Sequence, residues 1–83
     1  MRVLYFAWVK SKVGIGEEQV EPPAGVATVG SLLDWLSQRS AKHAAALANR
    51  SVVRVAVNQE YVGTDHPVKP GDEVALFPPV TGG

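Results

Sequence analysis

The sequence predicts an α+β fold: a mixed sheet of four to five strands covered on one face by one main helix. Three observations carry this. Short apolar runs rich in β-branched and aromatic residues recur between Gly- and Pro-marked turns. A single long stretch has apolar residues at helical spacing, Val29, Leu32, Leu33 and Leu36. At 83 residues the chain has room for one small core and no second domain.

Residues 3–9 (VLYFAWV) are too short an apolar run for a typical helix and read as a strand, with Val3 and Tyr5 on one face and Leu4, Phe6 and Trp8 on the other. Residues 10–16 (KSKVGIG) read as a turn, with two glycines available for positive φ. Residues 17–21 form a short second strand ended by Pro22-Pro23, completing an opening hairpin. Thr28 caps a helix over residues 28–39, and the Ala-rich residues 41–47 extend the helical region by a turn or two. Residues 52–58 (VVRVAVN) alternate around Arg54 as a strand. Residues 59–62 follow after a tight turn at Asn58-Gln59, and residues 73–77 (EVALF) form a last strand stopped by Pro78-Pro79.

One helix covers one sheet face, yet the first and last strands carry apolar groups on both. The uncovered face should therefore expose an aromatic patch of Phe6, Trp8, Tyr61 and Phe77, and such a patch marks a binding surface. The competing account is that Trp8 is covered by a loop.

Composition removes whole classes of function. Eight basic and eight acidic residues give no net positive charge with which to displace counterions from nucleic acid. The absence of Cys rules out a thiolate zinc site or a cysteine nucleophile. No apolar run approaches the ~20 residues that span a bilayer, and residues 1–6 lead into a strand without a cleavage-site pattern, so a cytoplasmic protein is expected. Gly14-Ile15-Gly16 lacks the third glycine and the following helix of a phosphate loop. His43 is expected to face solvent, and neither it nor His66 has ligand partners nearby in the sequence. The serines lie in no nucleophile-elbow context, and Asp72-Glu73 reads as a turn entering a strand.

The C-terminus is the most informative segment. Pro78-Pro79 hold the chain extended after the last strand, and nothing anchors Val80, Thr81, Gly82 and Gly83. The chain thus divides into a folded domain over residues 1–78 and a flexible tail over residues 79–83. Two terminal glycines lack Cβ atoms, so the backbone can thread a narrow channel and present the Gly83 α-carboxylate to a partner enzyme. A carboxylate is a poor acyl donor, but as a mixed anhydride with AMP it can be attacked by a sulfur nucleophile to leave a thiocarboxylate. The plainer account is a frayed terminus.

VLYFAWVKSKVG, VAVNQEYV and GDEVALFPPVTGG together resemble the small subunits of molybdopterin synthase, a match spanning nearly the whole chain. The resemblance implies a β-grasp, ubiquitin-like fold and a sulfur carrier without catalysis of its own, working within a heterotetramer. It implies three partners: the large synthase subunit, a ubiquitin-activating-like adenylating enzyme using ATP and magnesium, and a sulfurtransferase system. No cofactor, metal, nucleic acid or membrane is expected on this chain. By position, Gly83 bears the thiocarboxylate and Gly82 threads the channel. Phe6, Trp8, Tyr61 and Phe77 belong to the partner face, Lys10 to its polar rim, and Pro78, Pro79, Val80 and Thr81 to the inserted tail. Carriers for thiamin or tRNA thiolation, and ubiquitin-like modifiers joined to lysines, also end in Gly-Gly and are the alternatives.

Overall fold

The last strand in sequence becomes the centre of the sheet. The computed structural model describes residues 1–79. Its elements run β1 (Arg2–Tyr5), α1 (Ala7–Val13), β2 (Glu17–Gln19), α2 (Val29–Ser37), α3 (Ala41–Ala46), β3 (Arg54–Val57), β4 (Glu60–Val62) and β5 (Glu73–Phe77), with a 3-10 turn at Arg50–Val52 before β3. The strands order as β2-β1-β5-β3-β4. β1 and β5 are parallel and the other pairs antiparallel, so the sheet is mixed as expected.

Register fixes which side chains share a face, because directly opposed residues point the same way. Val3, Val74, Val57 and Tyr5, Leu76, Val55 line one side and are buried. They join Val9 and Val13 of α1, Val29, Leu32, Leu33 and Leu36 of α2, and Ala46 of α3 in one hydrophobic cluster. Fully burying each such aliphatic side chain contributes about 1.5–3 kcal/mol against leaving it in water. The helices therefore cover one face only.

Three helices do this, not one, and the difference begins inside the first apolar run. The extended chain continues to Phe6, whose N–H donates to Leu76 O at 3.0 Å, and then turns at Ala7, where φ is +52°. Trp8 consequently sits in α1 rather than in a strand and packs, partly buried, against the core. An unbroken apolar run satisfies a strand and a buried helix equally. The four-residue spacing of Val9 and Val13 and the Gly14 C-cap (φ +95°) favour the helix. Residues 10–16 are thus helix and cap before they are turn, and β1 and β2 pair antiparallel across a helical connection rather than a hairpin loop.

A left-handed alanine costs about 1–2 kcal/mol relative to a glycine free of that clash. Part of that gain is lost to the larger entropy of unfolded glycine. Ala7→Gly should therefore stabilise the domain by about 0.5–1 kcal/mol, read from its chemical denaturation midpoint. A lower midpoint would show that Ala7 is unstrained.

α2 begins where its cap was expected. Ser31 N–H donates to Thr28 Oγ1 at 3.2 Å, and Thr28 N–H donates to Ser31 Oγ at 3.0 Å, a reciprocal capping box. α3 is a separate helix capped by Ser40, whose Oγ accepts from His43 N–H at 3.1 Å. His43 is buried, not solvent-facing. The β3–β4 connection is the expected tight turn, with positive φ at both Asn58 and Gln59. Among the described residues no helix is long and apolar enough to cross a membrane, and no three potential ligand side chains cluster to hold a metal.

Candidate docking face and tail base

The uncovered sheet face is organised in rows by strand register. The first row is polar: Gln19, Arg2 and Glu73 lie side by side, and Arg2 reaches Glu17 at 3.1 Å and Glu73 at 3.3 Å. The second row runs Glu17, Leu4, Ala75, Ala56, Tyr61 across all five strands, with a floor of small apolar side chains. In the third, Phe77 opposes Arg54 directly. One further step of the parallel β1–β5 register sets Phe6 beside Phe77 on its other flank. The face thus grades from polar at one end to aromatic at the other, with Arg54 set among the rings.

The aromatic end is open to solvent. Tyr61 is 79% exposed and Phe6 48%, while Phe77 is half-buried. The Tyr61 and Phe77 rings lie 5.4 Å apart at a 43° tilt, a favourable offset contact. They bound a hollow of about 200 Å³ lined also by Arg54, Val55 and Val62. Lys10, exposed on α1, lies beside Gly16 and shares a second, wider recess with Leu4 and Phe6. Of the residues expected on this face, the structure brings Phe6, Tyr61 and Phe77 together and puts Lys10 at the edge. It removes Trp8 to the helical layer.

β5 is central and ends at Phe77, so the chain leaves the sheet from the middle of this aromatic end. Pro78 and Pro79 follow, both half-buried. The expectations for Val80, Thr81, Gly82 and Gly83 fall outside the described residues.

Beneath the sheet lies a polar network that sequence reading missed. Tyr5 Oη donates to Glu18 Oε2 at 2.6 Å, and His43 Nε2 lies 2.7 Å from the same oxygen. Arg39 Nη2 donates to Glu18 Oε1 at 3.2 Å, and Ser40 Oγ is 2.7 Å from His43 Nδ1. Burial pushes the Tyr5 hydroxyl pKa up, and its hydrogen bond to the Glu18 carboxylate adds to the rise. For Glu18 burial acts upward too. It is outweighed by the hydrogen bonds from Tyr5 and His43 and by the charges of His43 and Arg39, which hold the carboxyl below its ordinary range. Alternation along β1 and β2 puts Tyr5 and Glu18 on the core side. An acid on the core side of an edge strand was the available signal.

Comparison with known proteins follows the same outline. The model of the ThiS family matches residues 3–83. The molybdopterin synthase sulfur carrier subunit of Escherichia coli K12 is 43% identical over 83 residues, covering 100% of this chain and 99% of that protein. Its counterpart in Haemophilus influenzae is 39% identical over 83 residues, with the same coverage. A putative molybdopterin converting factor subunit 1 from Pyrococcus furiosus superposes with a TM-score of 0.77 at 33% identity, covering 95% of each chain. The small archaeal modifier protein 1 of Haloferax volcanii gives a TM-score of 0.75 at 32% identity, covering 96% of this chain and 97% of that one. A chain of the Amycolatopsis orientalis BexX/CysO complex gives 0.72 at 26% identity, covering 99% and 98%. With a β-grasp sheet, a Gly-Gly ending and a family match over all but its first two residues, this chain belongs to the ThiS family.

Proposed function

We propose that this chain is the sulfur carrier subunit of molybdopterin synthase, catalytically inert alone and acting through the carboxylate of Gly83. One observation carries the reading. The strand that leads into Pro-Pro-Val-Thr-Gly-Gly is the central strand, and it ends on an open apolar face. A partner that covers Phe6, Tyr61 and Phe77 thereby receives the tail at the middle of its own contact surface. Lys10 supplies a charge at the rim, while Pro78 and Pro79 stiffen the start of the tail.

The chemistry belongs to partners. An adenylating enzyme joins the Gly83 carboxylate to AMP from ATP, with magnesium, and releases pyrophosphate. A sulfur nucleophile from a sulfurtransferase then displaces AMP, leaving a thiocarboxylate. In the large synthase subunit the sulfur passes to the pterin precursor, cyclic pyranopterin monophosphate, and water restores the carboxylate. A dithiolene holds two sulfurs, so two charged carriers are consumed per product. Gly82 gives the backbone the slimness to enter each active site. Reliance on ATP fits a cytoplasmic setting.

Incubation with ATP, magnesium, the cognate adenylating enzyme and a sulfur source should raise the intact mass by about 16 Da, the exchange of one oxygen for sulfur when the acyl-adenylate is captured. An unchanged mass with an enzyme active on another carrier would overturn the reading. The likeness to an archaeal modifier protein supports a second use of the same activated terminus, capture by a lysine amine. A denaturant-resistant ladder of lysine-linked conjugates without the mass gain would favour it.

A further inference from the structure

Arg54 stands apart from the other arginines. Arg2 pairs with Glu17 and Glu73, Arg39 with Glu18, and Arg50 with Asp34 at 3.0 Å. Among the described residues no carboxylate lies within ion-pairing distance of Arg54. One edge of its guanidinium is fixed, Nη1 donating to Ser51 O at 3.0 Å, which leaves the other N–H groups directed elsewhere. Its surroundings are apolar: Phe77 directly opposite, Tyr61 on the neighbouring strand, and the hollow between them.

In the free chain water satisfies this cation, because Arg54 is exposed. Covering the face removes that water, and a guanidinium buried among aromatic rings without a counter-charge is strongly penalised. The hollow, about 200 Å³, is smaller than the roughly 300–1,000 Å³ of small-molecule sites and suits a single side chain. A planar, always-charged fork matches a carboxylate in two-point contact. We propose that the hollow between Tyr61 and Phe77 receives an Asp or Glu side chain from the docked protein partner, paired with Arg54, and that this pair selects which partner binds. The proposal rests on the reading of the open face as the docking surface for the large synthase subunit.

The test is binding of the full chain to the cognate large subunit by calorimetry, at two salt concentrations, for wild type, Arg54→Leu, Arg54→Glu and Phe77→Ala. Arg54→Leu should weaken binding at least about tenfold despite adding apolar surface, because the partner's carboxylate is left buried and alone. Arg54→Glu should weaken it further, and the salt dependence of wild type should flatten in Arg54→Leu. If Phe77→Ala weakens binding while Arg54→Leu binds equally or more tightly, the pair does not exist but the docking face stands. If neither changes binding, the docking face fails and the proposal with it. Arg54→Glu binding as tightly as wild type would likewise overturn the pair, and because Arg54 is exposed in the free chain neither substitution disturbs the core.

Discussion

Removing Gly83 should abolish thiocarboxylate formation and leave the thermal transition unchanged. On the proposed mechanism the reacting atoms are the terminal carboxylate and the α-phosphate of ATP, held in the partner's active site. Shortening the chain by one residue withdraws the carboxylate by roughly 3.3 Å. Misplacement by even 1 Å can cost about 100-fold in rate, so the expected loss exceeds that factor. Adding one residue after Gly83 should be equally damaging, because the new carboxylate lies beyond the phosphate. Neither change touches the buried cluster formed by residues 1–76. The readout is the yield of the heavier species by intact-mass spectrometry, beside a melting curve of each variant. Retained sulfur loading in either variant would remove the terminus from the mechanism.

Glu18→Ala should clearly destabilise the domain. The Glu18 carboxylate is 14% exposed and accepts from Tyr5 and Arg39, with His43 2.7 Å away. Its loss leaves a buried hydroxyl without a partner and removes the counter-charge beside an arginine and a histidine. Leaving the buried Tyr5 hydroxyl unsatisfied in this part-buried network costs about 1–3 kcal/mol. Small domains have only about 5–15 kcal/mol in total, so this is a sizeable share of the stability. At roughly 4–8 °C per kcal/mol, the transition should fall by at least about 4 °C.

The same network contributes to the acid and alkaline limits of the fold. The Glu18 carboxyl is held below its ordinary value in the folded chain. Its contribution is therefore complete above the unfolded value near 4.3 and is lost as pH falls through the lower folded value. Tyr5 is shifted the other way, upward. Its contribution is complete below the unfolded value near 10 and disappears as pH rises above it. Wild type should thus lose stability at both extremes. The acid limb should be shallower in Glu18→Ala, where Asp72 still contributes: burial acts upward on its carboxyl, but hydrogen bonds from Asn58 and Lys69 outweigh it and hold the group below its ordinary range. Equal stability of the two proteins at pH 7 would show that the network contributes nothing net.

Much of this was legible from residues in line. Residues 73–77 alternate cleanly between turn signals and form β5 with those limits. Thr28 and Ser31 mark a helix start through side chains that satisfy backbone groups three residues apart, which is local chemistry. The positive φ values at Asn58 and Gln59 follow from the same kind of short-range demand. The first apolar run was not resolvable this way. Its division at Phe6–Ala7 depends on whether Trp8 and Val9 find the core from a strand or from a helix, and that core is assembled from distant residues.

The candidate site divides along the same line. Phe6, Tyr61 and Phe77 could be placed on the open face by alternation, and the tail by its composition. Trp8 could not, because a face assignment by period two holds only while the strand lasts. The linear order carried the later strands, the Thr28 cap and the Gly-Gly terminus, since these depend on neighbours a few residues apart. Only the folded sheet decided that β5 is central, that Glu18 meets Tyr5 and His43 from residues 13 and 25 positions away, and that Arg54 lies opposite Phe77. Pairings across such separations are chosen by the total burial of the whole chain, a quantity that no local stretch contains.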